Sequence, residues 1–226
     1  MEGDTWQIVM LSLRVAGIAI LVALPLAFAV AWLLARFEFP GKSLFQAVIT
    51  MPLVLPPVVT GYILLILFGG RGPLGAFLQQ WFGISFAFRW TGAALAAGVM
   101  AFPLLVRPIR LSIEGLDRGL EEAARTLGAG RPTAFFTVVL PPLLPGIIAG
   151  AVLGFAKALG EFGATITFVS NIPGETQTLS LAIYALLQTP TGDSDAFRLI
   201  AISAAISIVA VVFSEWLQRR LAGDAK

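Results

Sequence analysis

Cysteine and histidine are both absent from this chain of 226 residues, and charge is scarce, with only 12% of positions Asp, Glu, Lys or Arg. Without cysteine there is no disulfide framework and no thiolate chemistry. Without histidine the commonest general base, the Ser–His triad and the usual zinc ligand are missing. No paired-carboxylate site stands out either, so an enzyme is not expected, and no catalytic residue, metal ligand or bound cofactor is assigned. What remains is apolar: 58% hydrophobic residues and a mean hydropathy of +0.89. A soluble domain of this length needs a more charged surface, so the composition reads as a membrane protein. The isoelectric point near 9.4 invites a nucleic-acid reading. The basic residues cluster at the ends of apolar runs, however, where membrane orientation explains them better, and no nucleic-acid partner is expected.

The acidic start Met1-Glu2-Gly3-Asp4 is unlike a signal peptide. Val9 to Leu34 is apolar apart from Ser12 and Arg14 and is long enough for a tilted span, with Pro25 expected to kink it. Gly41-Lys42-Ser43 mimics the end of a P-loop, but Arg36 stands where that pattern needs glycine, and a membrane helix follows. Leu44 to Phe68 is the second expected span. Its Pro52 and Pro56-Pro57 fit a packing kink or a gating hinge. Leu74 to Phe88 reads as a surface helix and loop, with Trp81 and Trp90 suited to the headgroup zone. Thr91 to Val106, extended to Leu111 if Pro103 and Pro108 only bend it, is the third span. Val138 to Leu159 is the fourth, with Gly146, Ala149, Gly150, Ala151 and Gly154 spaced for close helix packing. Leu179 to Leu187 is too short to cross and suits an interfacial helix; Leu199 to Leu217 is the fifth span.

One stretch, Gly115 to Gly128, is a polar island in this apolar chain. Leu116, Leu120, Ala123, Ala124 and Leu127 recur at helical spacing, opposite Asp117, Arg118, Glu121, Glu122 and Arg125. Gly128-Ala129-Gly130 is expected to end that helix through a left-handed turn. Pro132 then suits the first turn of a second helix, which Pro141-Pro142 should break or kink. An amphipathic helix, a glycine turn and a second helix entering a span make a docking element for a protein outside the membrane.

Glu122-Ala123-Ala124, Gly128 four positions later and Val138-Val139-Leu140-Pro141 together resemble the EAA loop of ABC importer permeases. The resemblance implies an all-α membrane protein of about five transmembrane helices with the type I importer permease fold. The permease domain is expected at 8–218, with the cytoplasmic EAA coupling loop at 112–141. It further implies that Glu122, Ala123, Ala124, Gly128, Leu140 and Pro141 meet the groove of an ATPase subunit. ATP is then used by partner subunits and not by this chain.

A second resemblance narrows the cargo. Met51-Pro52-Leu53-Val54-Leu55-Pro56-Pro57-Val58-Val59-Thr60-Gly61-Tyr62, Ala158-Leu159-Gly160-Glu161-Phe162-Gly163-Ala164 and Asn171-Ile172-Pro173-Gly174-Glu175-Thr176-Gln177-Thr178-Leu179 look like the molybdate branch of these permeases. Sulfate and tungstate permeases share Glu161-Phe162-Gly163 and remain the alternative, with a stand-alone secondary transporter behind them. The implied partners are two ATPase copies, an extracytoplasmic molybdate-binding protein, a second copy of this chain and the lipid bilayer. Candidates for the gate or path are Lys157, Gly160, Glu161, Phe162, Gly163, Thr165 and Asn171. Lys157 and Glu161 are four apart, so they form either a locking salt pair or an anion gate. Thr165, Thr167, Ser170 and Asn171 could offer hydrogen bonds to an oxyanion or cap a helix end. Arg14 is read as snorkelling to the outer interface.

With the EAA loop inside, that side collects Arg36, Lys42, Arg107, Arg110, Arg118, Arg125, Arg131, Arg219, Arg220 and Lys226. The other side keeps Arg71, Arg89 and Arg198 against Glu2, Asp4, Glu175, Asp193 and Asp195. The resemblance implies the inner membrane of a prokaryote, and the positive-inside rule then orients this multi-pass protein with its N-terminus outside and its C-terminus in the cytoplasm.

Overall fold

In hydrocarbon every backbone N–H and C=O needs an internal partner, and a helix supplies them within one segment. The computed structural model describes residues 2–190 and 192–223, and all its regular elements are helical. Charges used above at Glu2, Asp4, Arg118, Glu121, Arg219 and Lys226 lie outside the described side chains. The helices are α1 (Glu2–Arg36), α2 (Lys42–Val54), α3 (Pro57–Phe68), α4 (Pro73–Phe82), α5 (Trp90–Glu114) and α6 (Arg118–Thr126). There follow α7 (Arg131–Ala134), a π-turn (Phe135–Val139), α8 (Leu140–Leu159), α9 (Gly163–Val169), α10 (Leu179–Leu187) and α11 (Asp193–Gly223).

Among the described residues four helical stretches are long and apolar enough to cross a membrane: Thr5–Arg36, Trp90–Glu114, Arg131–Leu159 and Asp193–Leu217. The fifth expected span is different. Leu44 to Phe68 is not one kinked helix but two short ones, α2 and α3, bent by 114° at their junction. Leu55 and Pro56 are extended there, with ψ of 145° and 132°. Pro56 and Pro57 have no N–H to give, and a residue preceding proline avoids the helical region, so the helix stops at Val54. Pro103 and Pro108 do not interrupt α5, which runs past Leu111 to Glu114.

The core is a three-helix stack of α1, α5 and α8 built from small residues. Ala16, Ala27, Ala97 and Ala101 are buried on α1 and α5. On α8, Gly146, Gly150 and Gly154 form an i, i+4 row against α5. A Cβ on Gly150 would lie 3.0 Å from the Leu105 carbonyl, and one on Gly154 would lie 2.9 Å from Leu105 Cδ2. Close approach of this kind supplies packing where lipid offers no hydrophobic drive. The short α10 is drawn further inward than an interfacial helix, with Leu179, Leu181 and Ala182 buried. Its first amide, Leu179 N–H, donates to Ser12 Oγ on α1 at 2.7 Å, and that hydroxyl donates to the Ile8 carbonyl at 2.8 Å.

Candidate functional site

The polar island folds as the spacing dictates. Asp117 is the N-cap of α6, its carboxylate accepting the Gly119 amide at 2.8 Å. At the other end Gly128 has φ +90°. Two hydrogen bonds close the turn: Ala129 N–H to the Ala124 carbonyl and Gly128 N–H to the Arg125 carbonyl, both 3.1 Å. This six-to-one and five-to-two pair is a Schellman cap. The Ala123 carbonyl accepts Leu127 N–H at 3.1 Å and Thr126 Oγ1 at 2.8 Å. Two of the residues that carry the resemblance, Ala123 and Ala124, thus hold the turn with their carbonyls.

The apolar stripe of α6 is only partly used within the chain. Leu116 packs against the core, but Leu120 is 50% and Leu127 89% exposed. Glu122 and Ala123 are exposed too, and Ala124 is half-buried. A shallow groove of about 550 Å³ lies between Glu122, Arg125 and Thr126 on one side and Ala129, Gly130 and Arg131 on the other.

After the turn, Pro132 sits in the first turn of α7 as expected. The helix then neither breaks nor stops at Pro141-Pro142: Arg131 to Leu159 is continuous. The accommodation is the π-turn just before the prolines, where Leu140 N–H reaches five residues back to the Phe135 carbonyl. A wider turn relieves the clash a proline ring makes with the carbonyl four residues earlier. Leu140 is half-buried and Pro141 exposed at this junction. Phe135 anchors it to α1, its ring 5.8 Å from Trp32 and 6.3 Å from Phe28, centroid to centroid.

At the far end of α8 one gate candidate, Glu161, is a buried carboxylate. Glu161 is 2% exposed. Its Oε2 accepts Lys157 Nζ at 2.5 Å and its Oε1 accepts the Ala164 amide at 3.0 Å. The expected i, i+4 pair is therefore formed, and the same carboxylate also caps the first turn of α9. Lys157 keeps 30% side-chain exposure. Gly160 is exposed, while Phe162 meets the Tyr184 ring of α10 at 4.8 Å. Gly163 lies so near α3 that a Cβ there would stand 2.7 Å from Pro57 Cβ. Thr165 is buried, and Thr167 Oγ1 is spent on the Gly163 carbonyl at 2.8 Å. Asn171 Nδ2 donates weakly to the Leu181 carbonyl at 3.5 Å, and its buried Oδ1 has no partner among the described residues.

Thr60 and Gly61 on α3 lie within the Met51–Tyr62 stretch that carries the resemblance, but they are not among the expected gate or path residues. A Cβ on Gly61 would fall 2.5 Å from the Ala164 carbonyl, so α3 and α9 touch backbone to backbone. Beside it the buried Thr60 Oγ1 has no partner among the described residues. The signal was available, since a Thr-Gly pair interrupts an otherwise apolar run. Among the described residues the buried Thr60 and Thr178 hydroxyls and the Asn171 amide oxygen are unpaired neutral groups.

Comparison with known proteins agrees with this architecture. The family model described as the binding-protein-dependent transport system inner membrane component matches residues 5–223. The molybdenum transport system permease protein ModB of Escherichia coli (strain K12) is 60% identical over 214 residues, 95% of this chain and 93% of that one. The protein of the same name from Haemophilus influenzae is 57% identical over 211 residues, covering 93% and 92% of the two chains. The sulfate transport system permease protein CysT of Salmonella typhimurium is 44% identical over 158 residues, 70% of this chain and 57% of that one. Among solved structures, a bacterial ABC transporter importing the polysaccharide alginate superposes with a TM-score of 0.74 at 17% identity, covering 96% of this chain and 79% of that one. The inward-facing MetNI methionine ABC transporter gives 0.67 at 14% identity, covering 98% and 95%. These two structures bear on the fold alone.

Proposed function

The chain belongs to the family of binding-protein-dependent transport system inner membrane components, and from that premise we propose that it is the permease subunit of an ATP-driven molybdate importer. The cargo assignment rests on the near full-length identity with molybdenum permeases, which exceeds the partial likeness to a sulfate permease in both extent and degree. One structural observation carries the coupling role: α6 and its glycine turn stand away from the core with Leu120 and Leu127 uncovered. An exposed apolar pair beside a groove edged by Glu122 and Arg125 is a site for a protein partner, and the ATPase subunit is that partner.

The chain brings one such element. An importer driven by two ATPase copies needs two, and closed two-fold symmetry between identical permeases supplies them most simply. Cargo selection lies with an extracytoplasmic binding protein. A molybdate dianion is costly to desolvate; among the described residues Lys157 is already neutralised by Glu161, and Thr60, Thr165 and Asn171 are uncharged. Such a lining passes an oxyanion without holding it. With the α2–α3 pair crossing once, the number of crossings is odd, so the termini lie on opposite sides, the C-terminus in the cytoplasm.

The test is reconstitution of the permease with its ATPase in liposomes supplied with molybdate-loaded binding protein. Molybdate uptake with stimulated ATP hydrolysis is expected. Stimulation by a sulfate-loaded binding protein and not by the molybdate-loaded one would overturn the cargo assignment. Failure of the purified permease to retain any ATPase subunit would overturn the coupling role.

A further inference from the structure

A groove of about 580 Å³ runs between α1, α2 and α5, lined by apolar side chains except at its Trp90–Thr91 end. On α1 it is edged by Ile18, Val22 and Leu26, and on α2 by Val48, Ile49 and Pro52. Val22 and Leu26 are each 60% exposed, so nothing among the described residues fills it. Continuing the α1 row one turn outward, from Leu26 through Val22 and Ile18, leads to Arg14. The Arg14 guanidinium lies 3.8 Å from the centroid of Trp90, which itself lines the groove. Arg14 is exposed and makes no ion pair among the described residues.

Depth and length fix what this arrangement suits. Counting back from Leu34, just before Arg36, about 20 residues at 1.5 Å each span the ~30 Å hydrocarbon core. That count ends at Arg14, which therefore stands at the headgroup boundary, where tryptophan also prefers to sit. From Arg14 to Leu26 the row is about 18 Å long, close to the depth of one leaflet. We propose that the groove is a phospholipid site, with one acyl chain lying along Ile18, Val22 and Leu26 and the lipid phosphate held by the Arg14 guanidinium. Guanidinium presents a planar fork of donors suited to phosphate oxygens, and stacking on Trp90 fixes its plane. A second protein helix, about 10 Å across, is the competing occupant. It would gain nothing from a cation poised at the headgroup end of the groove.

The experiment places a photoreactive benzoylphenylalanine at Val22 in the complete permease–ATPase complex, irradiated after detergent purification so that only resident lipid remains. The same probe at Val212 on α11, 61% exposed, reports unspecific lipid. Phospholipid adducts at Val22, several-fold above those at Val212 and reduced at least threefold by Arg14→Gln, are expected. An adduct joining Val22 to a second polypeptide overturns the proposal. So does an adduct level equal to that at Val212, or one that Arg14→Gln leaves unchanged.

Discussion

Replacing Gly128 with valine isolates the backbone of the coupling turn from everything else. An added Cβ at Gly128 meets no atom within 4 Å, so crowding is not at issue. The cost is purely conformational: φ is +90°, a region in which a residue with a Cβ is strained by about 1–3 kcal/mol, and a β-branched one belongs at the upper end. At about 1.4 kcal/mol per tenfold change, about 3 kcal/mol lowers the population of the Schellman turn roughly a hundredfold relative to open alternatives. The turn is exposed, so the helix stack should survive and the complex should still assemble. The readout is ATP hydrolysis stimulated by loaded binding protein, compared with the basal rate and with transport. Gly128→Val should lose most of the stimulation, whereas Gly128→Asn, which tolerates the left-handed region, should keep much of it. Full stimulation in the valine variant would show that the turn geometry does not matter for coupling.

Three further outcomes can be checked together. Glu161→Ala strands Lys157 beside an uncapped α9; the expected loss is about 3 kcal/mol, the low end for breaking a buried pair because Lys157 keeps some water. Thermal unfolding of Glu161→Gln, which keeps an acceptor for Ala164 N–H, should show a smaller loss, and equal melting of the two variants would remove the capping role. Gly61→Val drives a side chain into the Ala164 carbonyl and should cost about 1–3 kcal/mol while separating α3 from α9; an unchanged melting temperature would contradict that contact. Native mass measurement of the purified complex should give two copies of this chain and two ATPase copies, and a second, different permease chain would refute the symmetric pairing.

How much of this was legible in the sequence depended on the range of the interaction involved. The long spans and the amphipathic helix α6 were legible, because apolar runs and helical spacing are local signals that tertiary packing had no reason to override. The Gly128 turn was legible for the same reason: one residue type meets one backbone requirement. Proline was ambiguous. Pro103 and Pro108 are absorbed within α5, Pro56-Pro57 split a span, and Pro141-Pro142 are met by a π-turn. All three outcomes satisfy the same missing N–H, and the choice is made by neighbours. The Ser12–Leu179 hydrogen bond, 167 positions apart, and the approach of Gly61 to Ala164 involve partners that no local pattern brings together. The Lys157–Glu161 pair was legible from its spacing, yet the second duty of Glu161, capping α9, emerged only from geometry.

The continuity of Arg131 to Leu159 gives the coupling turn and the Glu161 region a shared helical body. That body transmits orientation only if its coupling end is fixed to the stack, and Phe135 is the residue placed to do this. Its ring is edge-on to both Trp32 and Phe28, with interplanar angles of 69° and 83°. Edge-to-face pairs are worth about 0.5–1.5 kcal/mol beyond area burial, so a double-mutant cycle of Phe135→Ala with Trp32→Ala should return a coupling in that range. Half-burial of Phe135 puts the single-variant loss near 2 kcal/mol, below the 3–5 of a fully buried phenylalanine. Stimulated hydrolysis should fall further in Phe135→Ala than in a variant of equal melting temperature altered on α11, which does not adjoin the turn. Additive single effects, with no coupling between Phe135 and Trp32, would mean that the π-turn end of the helix is held by something other than this aromatic cluster.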